Sequence, residues 1–261
     1  MATVAVTHFS DRLAAAVERK SSQLVVGLDP VVEHMPAEVD GDLLAFCSGI
    51  VDAIAPYAVA VKPQSAFFEA HGADGVRAFA QVCEYARAAG LIVIADVTVN
   101  PYLGGDSVEP FLEACRREGA GIFCLVKTSN PGSADVQDVA LADGRKLWQH
   151  VAGLVRDWGS ELIGDRGFSA VGAVVGATFP REVAEARELL PRSVLLLPGI
   201  GAQGGTPADV GAAFAAGPAG ALVSASRSVI YAYREGGGDW QSAAGAEAER
   251  LAREVWSASG R

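Results

Sequence analysis

The sequence predicts an α/β fold of the (β/α)8-barrel class, in one domain over residues 1–261. Short runs rich in Val, Ile and Leu recur along the chain, each followed by an Ala-rich amphipathic stretch, which is the pattern of buried parallel strands alternating with helices. Polar residues collect where the apolar runs end, the face on which such barrels carry their active sites. The length of 261 residues suits one closed barrel. A doubly wound open sheet is the structural alternative, and against it no GxGxxG follows the first run.

The first run, 23–30 (QLVVGLDP), is apolar up to Asp29 and leads to a helix expected over 41–55. The second, 57–65 (YAVAVKPQS), carries Lys62 near its end and precedes a helix over 72–89. The third, 91–100 (LIVIADVTVN), holds Asp96 and no helical stretch, so its ten residues read as two strand fragments fused into one long strand. The helix after it, 106–118, opens on Asp106 with Glu109 three residues on, a capping box with Asp as the cap. Then come 121–130 (GIFCLVKTSN) with a helix over 140–158, 171–178 (VGAVVGAT) with 180–190, and 194–201 (VLLLPGIG) with 207–216. The last run, 221–230 (ALVSASRSVI), precedes a terminal helix over 240–257. The count is seven strands, a barrel reduced by one βα unit at 91–100. Closing a barrel on seven strands alters tilt and stagger, so a gap or distortion is expected beside that run.

With 31 acidic and 21 basic residues the net charge is −10, which argues against nucleic acid or an anionic membrane surface as partner. A small phosphate-bearing molecule needs only one or two well-placed basic groups. Cys47, Cys83, Cys115 and Cys124 form no CxxC pair and have no His at zinc-ligand spacing, so they read as reduced, buried thiols of a cytoplasmic protein. No apolar stretch of about 18 residues and no basic n-region followed by an apolar run is present, and a soluble protein that is not exported is expected.

Three groups at strand ends carry chemistry. Asp29, Lys62 and Asp96 place a carboxylate, an ammonium and a carboxylate at neighbouring strand ends, where a charged network could stabilise developing charge. Charges at strand ends that simply meet solvent are the plainer reading, and it is weakest for Lys62, which lies between VAV and PQSAFF. Farther on, LLLPGIGAQGG (195–205) can aim backbone N–H groups and the Gln203 amide at an anion, and Arg227 lies in the next run. A glycine-rich loop alone is as well read as an ordinary turn, but loop and arginine in adjacent terminal units point to a phosphate site. Phe67 and Phe68 read as packing under the second strand's loop, Trp148 and Trp158 as sealing a helix, and His34 and His71 as loop residues without a catalytic partner. A phosphosugar aldolase or epimerase of similar build would show metal-ligating His and acidic residues at strand ends, which this sequence lacks.

Taken together, VGLDP, VKPQSAFFE, VTVNPYLGGDSVEPFL, VKTSNPGS, VVGAT, LLPGIGAQGG and SASRSVIYAY resemble the type 2 bacterial subgroup of orotidine 5′-phosphate decarboxylase, over nearly the whole chain. The resemblance implies a (β/α)8 barrel, a homodimer, and cofactor-free, metal-free conversion of orotidine 5′-phosphate to UMP and CO2 in pyrimidine biosynthesis. By position it implies that Asp29 contacts the ribose and Lys62 belongs to the charged network. It gives Ser129 the pyrimidine, and Gln203 and Arg227 the phosphate.

The sequence departs from that family after its third strand. The family has an Asp-x-Lys-x-x-Asp segment there, whose lysine protonates C6 and whose aspartates crowd the substrate carboxylate and orient the lysine. In this chain IAD runs directly into VTVNPY, so the lysine, the second aspartate, the following helix and the start of the fourth strand are absent. Asp96 matches either the first catalytic aspartate or the acid that begins strand four. Lys127 is the other strand-end lysine, two strands away. Little decarboxylase activity is therefore expected of the chain as written, and a catalytically silent pyrimidine-nucleotide-binding homologue is the alternative function.

Overall fold

A computed structural model describes residues 7–95, 98–200 and 205–261. In chain order it contains α1 (Phe9–Lys20), β1 (Leu24–Leu28), α2 (Leu43–Ile54), β2 (Ala60–Pro63), α3 (Ser65–Glu69), α4 (Gly72–Ala88) and β3 (Ile92–Val93). There follow β4 (Thr98–Val99), α5 (Gly105–Glu118), β5 (Ile122–Lys127), α6 (Ala134–Gln137), α7 (Leu147–Trp158), β6 (Val171–Val175), α8 (Pro180–Leu189) and β7 (Leu195–Pro198). A 3-10 helix (Pro207–Ala216), β8 (Ala221–Ala225), α9 (Arg227–Ile230), α10 (Tyr233–Gly236) and α11 (Trp240–Ala258) complete it. These elements group into two compact units, one of residues 20–96, 223–257 and 261, the other of 1–19, 97–222 and 258–260.

In the first unit β1 runs parallel to β2, with Gly27 opposite Lys62 and Leu28 opposite Pro63, and to β8, with Val26 opposite Ala225. Every β1 residue is buried, as a strand covered on both faces must be, which is why its sequence is continuously apolar rather than alternating. Asp42 caps α2 by accepting from the Leu44 and Ala45 amides. Phe46, Ile50 and Ile54 form that helix's buried stripe, and Phe46 stacks on Tyr231 and Trp240 with ring centroids 5.8 and 5.4 Å away.

In the second unit β5 is the best-paired strand. It runs parallel to β6 over Ile122 to Lys127, with an irregularity between Leu125 and Lys127, and β4 pairs Thr98 with Phe123 and Val99 with Cys124. β6 in turn pairs with β7, Ala173 opposite Leu195. Arg187 of α8 is buried, and its guanidinium donates to four carbonyls, Ala213 O, Leu190 O, Ser193 O and Gly220 O, at 2.6–3.0 Å. Burial pushes its pKa down to about 10, so it is still charged at neutral pH, and a charged donor suits four carbonyl ends.

The structure corrects several expectations. Residues 91–100 do not form one long strand, and eight strands, not seven, are present among the described residues. Ile92–Val93 pairs with Ala60–Val61, and the ladder stops after Ile94 N donates to Val61 O, because the next donor would be the N–H that Pro63 lacks. Among the described residues β3 pairs only with β2 and β4 only with β5. Among the described residues no helix stands between β3 and β4. The N-cap of α5 is Gly104, not Asp106, which sits in the first turn where its charge still suits the helix dipole. The expected helix over 140–158 begins only at Leu147, since Leu141 N bonds Arg145 O in a turn. Helix α1, whose buried face is Phe9, Leu13, Ala16 and Val17, was not anticipated, although those positions carry a helical period. Cys47, Cys83, Cys115 and Cys124 are all buried and free. No described helix is long and apolar enough to cross a membrane.

Candidate functional site

In the first unit, parallel pairing brings three of the expected residues to one edge. Asp29 follows β1, Lys62 lies in β2, and Arg227 opens α9 immediately beyond β8, so all three stand at or just past the C-terminal ends of the adjacent strands β2, β1 and β8. Asp29 Oδ2 accepts a short hydrogen bond from Ser226 Oγ, which also lies 3.2 Å from Gly27 O. The approach requires glycine at 27, where a Cβ would stand 2.8 Å from that of Ser226. Asp29 Oδ1 is buried with no partner among the described residues, so the carboxylate keeps acceptor capacity. Tyr231 Oη accepts from Val31 N at 2.7 Å and donates to Asp29 O at 3.1 Å, which holds the loop after β1. Burial pushes that phenol's pKa up to about 12, so it remains a donor.

Lys62 is half-buried and donates to Gln64 Oε1 at 2.9 Å. The expected contact between Lys62 and Asp29 is not formed. Neutral partners close in sequence or on the next strand, Gln64 and Ser226, engage the two charges instead. Arg227 is exposed, and its guanidinium makes no hydrogen bond or ion pair among the described residues. Asp96 and Gln203 lie outside the described residues.

In the second unit Ser129 stands two residues past β5, half-buried, against Gly176 just past β6, where a Cβ would come within 2.8 Å of it. The segment leading to it is held from 137–138. Lys127, only 3% exposed, donates to Asp138 Oδ2 at 2.9 Å, and Lys146 lies 3.2 Å from the other oxygen. The Lys127 and Lys146 ammonium groups hold the Asp138 carboxyl below the usual range. Gln137 Oε1 accepts from Thr128 N at 2.9 Å and its Nε2 donates to Thr128 Oγ1 at 2.8 Å. Lys127 is thus engaged by a carboxylate and also lies 5.7 Å from the centre of the Phe179 ring. Ser226, Gln137 and Asp138 were missed by sequence reasoning. Ser226 had the one usable signal, its place beside Arg227 at a strand end.

Phe68 is fully buried and Trp148 nearly so, which agrees with the packing roles read from sequence, and His34 packs edge-on against Tyr231. Among the described residues no group of three His, Cys, Asp or Glu side chains could hold a metal ion.

Comparison with known proteins covers the whole chain. A profile of the "Orotidine 5'-phosphate decarboxylase / HUMPS family" matches residues 97–236. Orotidine 5′-phosphate decarboxylase of Rhodopirellula baltica is 41% identical over 270 aligned positions, covering 87% of this chain and 89% of its own. The enzyme of the same name from a Roseiflexus species is 42% identical, covering 93% and 95%. Among solved structures, a Streptomyces avermitilis chain assigned to orotidine 5′-phosphate decarboxylase superposes with a TM-score of 0.84 at 31% identity, over 100% of this chain and 99% of that one. Leishmania donovani OMP decarboxylase superposes with a TM-score of 0.77 at 29% identity, over 97% and 99%. These are (β/α)8-barrel proteins, and the barrel class expected from the βα pattern is the fold class of this chain. Since the profile spans more than half of the sequence and relatives near 40% identity align along most of it, this chain belongs to the orotidine 5′-phosphate decarboxylase family.

Proposed function

We propose that this chain binds orotidine 5′-phosphate and UMP, and that the reaction its site is built for is loss of CO2 from C6 of the pyrimidine. The observation that carries this reading is the gathering of Asp29, Lys62 and Arg227 at the ends of three paired strands, with an unpartnered arginine beside a serine–carboxylate pair. In this reading Asp29 accepts from a ribose hydroxyl, Ser129 reads the pyrimidine, and Gln203 and Arg227 hold the phosphate. Lys62 places positive charge near the carboxylate side. The C6–carboxylate bond breaks, its electron pair stays on C6, CO2 departs, and a proton delivered to C6 completes UMP.

The group that would deliver that proton is the weak point of this chain. No lysine occurs between Lys62 and Lys127, and the family profile begins to match at residue 97, immediately after Asp96. The 270 aligned positions of the Rhodopirellula enzyme draw on about 227 residues of this chain, 87% of 261, so the relative carries positions that this chain leaves empty. The relatives, named orotidine 5′-phosphate decarboxylase, give no support to the second reading, in which the chain holds the nucleotide with little turnover. Following UMP release from orotidine 5′-phosphate by the purified chain separates the two.

Phosphate recognition gives the binding test. A charge-assisted arginine contact is worth roughly 1.5–3 kcal/mol. Arg227→Ala is therefore expected to weaken UMP binding by that amount in calorimetry, with uridine affinity unchanged. Equal affinity of the parent protein for UMP and uridine would remove the phosphate site from this reading. A cytoplasmic homodimer is the expected form, and light scattering on the eluting peak should return twice the 26.9 kDa chain mass.

A further inference from the structure

We infer that Gln137 is a positioning residue that sets which pyrimidine the site accepts, by fixing the segment that carries Ser129; this rests on the reading of Ser129 as the base contact. The geometry is a two-point clamp. Thr128 N is the first backbone donor beyond the end of β5, and Gln137 Oε1 takes it at 2.9 Å. Gln137 Nε2 donates to Thr128 Oγ1 at 2.8 Å, and Thr128 Oγ1 donates to Asn130 Oδ1 at 2.7 Å.

The proton directions in this relay are determined. A backbone N–H can only donate, so the Gln137 oxygen must face it and the Gln137 NH2 must face the hydroxyl. The hydroxyl accepts from that NH2 and spends its single proton on Asn130 Oδ1, so Gln137 holds Thr128 directly and Asn130 through the Thr128 hydroxyl. The neighbouring pair, Lys127 with Asp138 at 2.9 Å, anchors the residue before them. On the other side Gly176 leaves no room for Ser129 to retreat, because even a Cβ there would lie within 2.8 Å of it. A serine hydroxyl can present a donor or an acceptor to a base edge, and the difference between uracil and cytosine is an exchange of these at one edge. Discrimination then depends on where Ser129 is held, and Gln137 does the holding from outside the site.

The test is calorimetry of UMP, CMP and ribose 5-phosphate with the parent chain, Gln137→Met, Gln137→Glu and Thr128→Val. Methionine keeps the length and removes both hydrogen bonds. Glutamate keeps the acceptor for Thr128 N and, ionised, loses the donor to Thr128 Oγ1. Gln137→Met is expected to reduce the UMP-to-CMP preference roughly tenfold, the scale of one or two neutral hydrogen bonds, with ribose 5-phosphate affinity unchanged within about twofold. Gln137→Glu and Thr128→Val are expected to fall between it and the parent. Because a merely structural role would lower all three affinities together or only the Tm, an unchanged UMP-to-CMP ratio in Gln137→Met overturns the inference. A parent chain that binds UMP, CMP and ribose 5-phosphate alike overturns the base-contact reading of Ser129 as well.

Discussion

UMP formation from orotidine 5′-phosphate is expected to be at least about 10²–10⁴-fold slower with this chain than with a version that has an Asp-x-Lys-x-x-Asp unit and its helix inserted after Ala95, the range attributed to a positioned general acid. The interactions such a unit would supply act chiefly in the transition state, so the difference should appear in kcat, while nucleotide affinity, which we propose rests on Asp29, Ser129, Gln203 and Arg227, largely survives. A proton donor works within roughly 2.6–3.2 Å of its target or through one water. Lys62 is tied to Gln64 at 2.9 Å, and Lys127 is tied to Asp138 at 2.9 Å, so neither stands free to replace the missing lysine. Rapid turnover by the chain as written, lost in Lys62→Ala or Lys127→Ala, would reverse this assignment.

Replacement of Asp138 by alanine is expected to destabilise the protein by about 3 kcal/mol at pH 7, measured by urea unfolding. The cost arises from stranding the Lys127 ammonium, which is only 3% exposed. It falls at the low end of the roughly 3–5 kcal/mol known for broken buried pairs, because Asp138 itself is 28% exposed. Lys127→Met added to Asp138→Ala should recover most of the loss, since no buried charge then lacks a partner. The dependence on pH follows from the lowered Asp138 pKa, which Lys127 chiefly causes. Its contribution is fully present above the unfolded carboxyl value of about 3.9 and disappears as pH falls through the lower folded value, so parent and Asp138→Ala should converge in acid. A constant difference between them down to the acid transition would show that packing, not charge, is lost.

Much of the site was legible as a set of positions and little of it as a set of partners. Asp29, Lys62 and Arg227 could be placed at strand ends because apolar runs terminate in them, and parallel pairing then gathers such ends on one edge. Their hydrogen bonds could not be read. Asp29 meets Ser226 across 197 positions of sequence, and no local pattern marks Gln137 as the residue that grips Thr128.

The sequence by itself determined the βα order, the barrel class, the family and the residues at the strand ends, because burial of parallel strands on both faces imposes continuous apolar runs whose breaks are visible in the text. It also determined that no lysine lies between Lys62 and Lys127, a matter of residue order alone. Tertiary structure decided the rest. It divided 91–100 into two strands, because strand limits depend on the donors of a neighbouring strand and Pro63 offers none. It also turned Lys127 from a second strand-end lysine into half of an ion pair, because a charge enters a core only with a partner, and that partner arrives through a loop whose path no local rule fixes.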